Sequence, residues 1–270
     1  MTTALRVPAV AGRFYPSHRD KLLREIQAYT PEDQTAQTAI GCVVPHAGYM
    51  YSGHVAGAVY SRLTIPDRCI VLCPNHTGVG YPLAIMTRVA WQTPLGEVPA
   101  DTKLGDDLRH RLSTLTEDAA AHRGEHAIEV QLPFLQTRQP GLRLVPIAVG
   151  TSDFESLAEL GNAIAQSVAS QSERVLIVAS SDMNHYESDA VTRIKDHKAI
   201  EHVLALDPRG LWEVVIREHI SMCGFGPTVA MLTAAKRLGA TTASLVKYAT
   251  SGDVSGDREM VVGYAGIIVN

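Results

Sequence analysis

No run of lysines or arginines interrupts this 270-residue chain, and its formal net charge is -4. Without such a run there is little to attract phosphate backbones or anionic membranes, so neither nucleic acid nor membrane is an expected partner. Long hydrophobic runs are missing as well: no segment reaches the roughly 20 apolar residues that span a bilayer. Met1 to Val10 lack the continuous apolar stretch and cleavage site of a secretory leader, which makes the cytoplasm the expected location. Cysteine is scarce, and Cys42, Cys69, Cys73 and Cys223 show neither zinc-ribbon spacing nor the density of a disulfide scaffold. No repeat of fixed period, low-complexity tract or Pro/Gly/Ser linker is present, so residues 1–270 are expected to form one large domain.

What is present suffices for a sizeable core, since hydrophobic residues make up 46% of the chain and charged residues only 19%. Ile40 to Val44, Cys69 to Cys73 and Val175 to Ala179 are short apolar runs rich in β-branched residues and read as strands buried on both faces. Helical patterns cover His54 to Leu63, Ala100 to Leu112, Glu125 to Leu135, Phe154 to Ser170, Ala190 to Leu206 and Pro227 to Leu238. Further strands are expected at Leu83 to Met86, Leu142 to Ala148, Ser244 to Ala249 and Met260 to Val269. Ser251 to Glu259 reads as a polar surface loop. The alternation of strand and helix predicts an α/β fold: a mixed, mostly parallel sheet with helices on both faces.

Each of the three apolar strands ends in a turn that carries a histidine. VVPHAGY places His46, LCPNHTG places His76, and ASSDMNHY places Asp182 and His185. In open α/β sheets the carboxyl ends of parallel strands share one rim, where ligands bind, so these histidines are expected to be neighbours. Imidazoles aimed at one point form a ready metal site. In GEHAIEVQLPF, Glu125 and Glu129 at i and i+4, and His126 and Glu129 at i and i+3, share a face of the predicted helix. That cluster reads either as a solvated helix start or as a group that orients ligand imidazoles and shuttles protons. In ISMCGFGP, Cys223 precedes a predicted helix, whose amides are expected to lower its thiol pKa and favour a metal-binding thiolate.

Cys42, Cys69 and Cys73 lie within strand patterns and read as small buried hydrophobes. Phe14, Tyr15 and Pro16 form an expected anchoring turn, with Arg13 a candidate to face the pocket. Tyr49, Tyr51 and Ser52 are candidate pocket hydroxyls, and Gly48 and Gly53 suit tight turns before a helix. His54 reads as a surface or capping residue. His18, His110, His122, His197, His202 and His219 are expected to face solvent.

Taken in order, RVPAVAGRFYP, PHAGYMYSG, PNHTG, GEHAIEVQLPFL, SSDMNHY and CGFGP resemble the Memo family, whose bacterial members are called AmmeMemoRadiSam system protein B. The resemblance runs from Arg6 to Pro227, with VVGYAG near the C-terminus also fitting. It implies a fold similar to class III, non-haem iron-dependent extradiol dioxygenases. It also implies metal positions at His46, His76 and Cys223, with Asp182 and His185 completing the pocket wall. In the dioxygenases two histidines and a glutamate hold iron; here the resemblance implies a cysteine in the carboxylate's place. A softer thiolate favours copper, zinc or a differently tuned iron, so dioxygenase activity does not transfer with the fold. The resemblance further implies an AMMECR1-domain protein and a radical SAM enzyme as companions.

Three functions compete at this level. The first is a redox enzyme holding iron or copper at His46, His76 and Cys223, with His185, oriented by Asp182, as acid/base and with Glu129 and His126 tuning it. The second is a non-catalytic protein that binds metal or peptide in an inherited pocket. The third is a zinc hydrolase.

Overall fold

The computed structural model describes residues 5–31 and 34–270. From the N-terminus come β1 (Leu5–Arg6), α1 (Arg19–Tyr29), β2 (Gly41–Val44), α2 (Tyr49–Ser61) and β3 (Arg68–Pro74). Short strands follow, β4 (Leu83–Ile85), β5 (Ala90–Thr93) and β6 (Gly96–Val98), then α3 (Thr102–Arg111), β7 (Thr116–Glu117) and α4 (Ala120–Arg123). After a 3-10 turn at Glu129–Gln131 come α5 (Leu132–Arg138), β8 (Arg143–Val149), α6 (Phe154–Ala169), β9 (Val175–Ser180) and β10 (His185–Glu187). The chain closes with α7 (Asp189–Leu204), α8 (Pro208–Arg217), α9 (Phe225–Arg237), β11 (Ala243–Thr250), α10 (Gly252–Ser255) and β12 (Val261–Val269).

The main sheet has nine strands in the order β10-β12-β2-β9-β3-β8-β4-β7, with β11 also paired to β12. Its centre, β2, β9, β3 and β8, is parallel, whereas β12 and β4 run antiparallel to their inner neighbours. β1, β5 and β6 form a small separate sheet. Side chains along the central strands alternate between two cores, as the period of two requires. Val43, Ile70, Leu72, Ile177 and Ala179 meet α3, α6, α7, α8 and α9 on one face. Cys42, Val44, Cys69, Val71, Cys73, Leu176 and Val178 meet α1, α2 and α5 on the other. Cys42, Cys69 and Cys73 are thus wholly buried on one face, unpaired, with burial raising their thiol pKa values.

Helix starts follow local chemistry. Asp101, Asp153, Ser188 and Asp207 each accept an amide hydrogen from the first turn of α3, α6, α7 and α8, interactions worth about 1 kcal/mol apiece. α2 begins at Tyr49, earlier than its apolar pattern suggests, so Gly53 belongs inside a helix and not in a turn. A Cβ at Gly57 would fall 2.1 Å from the Tyr29 carbonyl oxygen, so the bare backbone is what lets α2 lie against the end of α1.

Residues 125–135 are not one helix. α4 ends at Arg123, and the carboxylate of Glu125 accepts the amide hydrogens of His126 and Ala127 at 2.8 and 2.9 Å. A side chain that captures the amides following it competes with helix continuation. The 251–259 segment contains the short helix α10 and is held by Arg193 and Arg258 against Asp253. His122, expected at the surface, is fully buried edge-on to Trp91, and burial lowers its pKa to about 4. No helix among the described residues is long and apolar enough to cross a membrane.

Candidate metal centre

β2, β3 and β9 end at the same rim of the sheet. Pro45 follows β2 and has no amide hydrogen with which to extend the ladder, so the chain turns there and His46 projects from the turn into α2. After β3, Asn75 shapes the next turn: its Oδ1 accepts from Thr77 Oγ1 and the Gly78 amide, and its Nδ2 donates to the Val79 carbonyl. This turn presents His76. Cys223 arrives from the loop before α9, where a Cβ on Gly224 would lie 2.4 Å from both the Ser180 carbonyl oxygen and the Ser181 Cβ. Only glycine lets that loop press onto the end of β9.

One ligand atom each from His46, His76 and Cys223 lies within 4.8 Å of the other two. Cys223 Sγ is 3.2 Å from His46 Nε2. They open into a cavity of about 560 Å³ whose wall also includes Phe14, His126, Asp182, His185 and Tyr186. No lysine or arginine lines it, and the carboxylate among its lining residues is Asp182, whose pKa burial raises.

Hydrogen bonds outside the cavity decide which imidazole nitrogens remain open. His76 Nδ1 is 3.0 Å from a Glu125 carboxylate oxygen, an acceptor, so Nδ1 carries the proton and Nε2 is free. The other Glu125 oxygen accepts the His76 amide hydrogen at 2.7 Å. Burial works against this charge, but His76 and the Ala127 amide hold the Glu125 pKa down to about 2. Burial also opposes protonation of His76, yet the carboxylate outweighs it and the net shift is upward. His46 has no such partner: its burial, with His76 and His126 close by, drives its pKa well below the ordinary value, so it is neutral and ready to act as a ligand.

Several expectations are corrected by this geometry. Burial, followed by the nearby Asp182, raises the Cys223 thiol pKa well above the usual range and outweighs the Gly224 amide at the start of α9, which pulls it down. The thiol is therefore neutral, with His46 Nε2 at 3.2 Å and the Asp182 carbonyl oxygen at 3.6 Å as its neighbouring acceptors. Asp182 does not orient the His185 ring. Its Oδ1 accepts the amide hydrogens of His46 and Ala47 at 2.7 and 3.3 Å, pinning the turn after β2. Ser221 holds His185 instead: its carbonyl accepts from Nδ1 at 2.9 Å and its hydroxyl oxygen from the backbone amide at 2.7 Å, again leaving Nε2 open.

Glu129 is not in the cavity. It is fully buried on the far side of its chain segment, where Arg6 pairs with it and Tyr15 and the amides of Ala9 and Val10 donate to its two oxygens. Once residues 125–129 leave the helical path, Glu125 and Glu129 face different partners: Glu125 meets His76, and Glu129 ties down the N-terminal segment. His126 does reach the cavity wall, stacked on His76 with ring centroids 4.9 Å apart. Arg13 is exposed, with its guanidinium on the Ala9 carbonyl, and Tyr49 donates to the Val130 carbonyl away from the cavity. Tyr51 and Ser52 do not line it.

The site also uses residues with weak sequence signals. Ser221 sits two positions before Cys223 in a segment whose cysteine draws attention first. Ser180 and Gln131, both buried, lie behind His46; in sequence Ser180 reads as an ordinary polar residue ending an apolar run and Gln131 as one set among apolar neighbours.

Comparison with known proteins agrees with the motif order. A family model described as "Memo-like protein" matches residues 6–268. A "MEMO1 family protein" from Methanosarcina mazei is 44% identical over 98% of this chain and 99% of its own length. Another from Methanopyrus kandleri is 42% identical, covering 97% of this chain and 98% of its own. Among solved structures, an uncharacterized protein from Escherichia coli K12 shares the fold with a TM-score of 0.55 at 13% identity, covering 84% of this chain and 98% of that one. With a family match that leaves only the chain ends uncovered and relatives this similar along their whole length, the chain belongs to the Memo family.

Proposed function

We propose that this protein binds a transition-metal ion, iron or copper, through His46, His76 and Cys223, and performs redox chemistry on a small molecule held in the same cavity. The observation that carries the reading is the convergence of two imidazoles and one sulfur, their ligand atoms within 4.8 Å of one another, at the end of parallel strands. The donor set fits such an ion: two nitrogens and a thiolate suit copper and iron, and three protein ligands leave positions open for a substrate. When bound, the ion supplies Lewis acidity and a route for electrons.

The chain's own residues do the rest. Cys223 would give up its thiol proton to become a ligand, so metal uptake would be coupled to proton release. Glu125 keeps the His76 ring in register, and Asp182 fixes the backbone on which His46 rides. His185, with its open Nε2 at the cavity wall, is placed to accept or return a proton, and His126 and Phe14 shape the wall. A cavity of about 560 Å³ suits a small-molecule substrate. An AMMECR1-domain protein and a radical SAM enzyme are the proposed companions, and the cytoplasm the proposed location.

Metal analysis of protein purified without chelator or affinity-column metal tests the reading. Near-stoichiometric iron or copper, lost in His46→Ala, together with oxygen or reductant consumption that His185→Ala abolishes while metal stays bound, is the expected result. Protein that neither carries nor takes up either metal overturns it.

A further inference from the structure

Ser180 ends β9 with its side chain on the face that meets α2 and α5, fully buried directly behind His46. A serine hydroxyl has one proton to give and two lone pairs, so three partners fix its orientation completely. The Ala127 carbonyl, which only accepts, lies 2.7 Å from Ser180 Oγ and takes that proton. Gln131 Nε2 lies 2.8 Å from Oγ and 2.9 Å from the Pro45 carbonyl oxygen. The Pro45 carbonyl settles which way the Gln131 amide faces, because an amide oxygen in that place would meet the carbonyl lone pairs. At its other end, Oε1 of Gln131 accepts from the buried Tyr60 hydroxyl at 2.8 Å. One Ser180 lone pair remains, and His46 Nδ1 is 2.9 Å from it. The imidazole must be the donor.

We propose that Ser180, locked by Gln131 and the Ala127 carbonyl, is a positioning residue that holds His46 as its Nδ1–H tautomer and so leaves a bare Nε2 lone pair facing Cys223. The inference rests on the metal-binding reading for its purpose but not for its test, because the tautomer is a property of the metal-free protein. A free imidazole in water favours the Nε2–H form modestly, so a site that needs Nε2 as ligand atom gains from a fixed acceptor behind Nδ1. Chain connectivity supports the assignment: Ala127 precedes and Gln131 closes the 3-10 turn at Glu129–Gln131, so the segment that orients His76 through Glu125 also orients His46 through Ser180.

Long-range proton–nitrogen NMR of metal-free protein labelled at histidine nitrogens reads the tautomer directly, with His46 assigned by comparison with His46→Ala. At pH 7.5 the expected spectrum has Nδ1 protonated and Nε2 bare. In Ser180→Ala the His46 signals shift towards the Nε2–H form and cobalt(II) affinity falls by about 10- to 100-fold, while Ser180→Thr, which keeps the hydroxyl, restores both. A proton on Nε2 in the unsubstituted protein, or an unchanged tautomer in Ser180→Ala, overturns the inference. Should Ser180→Ala fail to fold, Ser180→Cys decides: its sulfur is a weak acceptor, so the His46 signals should move towards the Nε2–H form, and a tautomer identical to the parent's overturns the inference. A protein that shows the Nδ1–H form yet binds no metal sustains this inference while refuting the metal-binding reading.

Discussion

Nε2 of His46 and Sγ of Cys223 lie 3.2 Å apart although 177 residues of chain separate them. The contact joins a neutral imidazole to a neutral thiol, since burial pushes the His46 pKa down and the Cys223 pKa up. On the proposed reading, loss of the thiol proton would turn this pair into two metal ligands.

Cys223→Ser keeps a hydroxyl within reach of His46 but removes the soft ligand. Stability is expected to change by less than about 1 kcal/mol, because the hydrogen bond survives. Copper(I) affinity should drop by about 100-fold or more, and the sulfur-to-metal charge-transfer band of the cobalt(II) form should vanish. A competition titration and a near-ultraviolet spectrum check both.

Glu125→Gln exchanges a carboxylate that accepts from His76 and from three backbone amides for an amide with two donors of its own. Donor then faces donor. The expected loss is about 1–3 kcal/mol of stability and about 10- to 100-fold in metal affinity, measured by urea unfolding and by zinc competition.

Glu129→Gln separates structure from chemistry. It leaves Arg6 buried without its counter-charge, which is expected to cost about 3–5 kcal/mol of stability. Metal affinity of the folded protein should remain at the parent value, because Glu129 touches no cavity residue. Parallel unfolding and metal titrations give the comparison, and a large affinity loss would return Glu129 to the site.

Asp196 supplies a pH test away from the metal centre. Burial raises its pKa from 3.8 to about 7, against the pull of Tyr248, the Asn184 amide, His197 and Arg193. Its carboxylate fits over Gly263, where a Cβ would sit 1.8 Å from Oδ2. The folded state therefore holds this proton more tightly than the unfolded chain does, and stability from this group falls as pH rises from about 4 to about 7. The melting temperature of the parent minus that of Asp196→Asn should decline across that window and level off above it. A flat difference would show that the carboxyl titrates normally.

Much of the fold was legible because the central strands announce themselves: Ile70, Leu72, Ile177 and Ala179 alternate with Cys69, Val71, Leu176 and Val178, apolar on both faces. Strand-end histidines then follow from parallel geometry. The edges were less legible. β12 runs against β2, and nothing in an apolar run states its direction. α1 and α8 carry exposed faces that break up the apolar pattern. The Glu125–Glu129 pairing failed for a local reason, the capture of backbone amides by Glu125, which helical spacing does not foresee. Proximity in sequence suggests Asp182 as the partner of His185, whereas the ring is held by Ser221, 36 residues further on. Long-range partners such as Ser180 and Gln131 have no signature beyond their polarity.

The place of β9 between β2 and β3 governs when the ligand set can exist. The strands carrying His46 and His76 are synthesised early but become next-but-one neighbours only after a later strand inserts between them, and the sulfur follows later still. A chain emerging from the ribosome can bring the two imidazoles together once β9 is in place but lacks the sulfur until residue 223 is free, so the full proposed ligand set belongs to the finished molecule. On the proposed reading an ion seated there would join segments 177 residues apart, and its removal is expected to loosen the rim before the core.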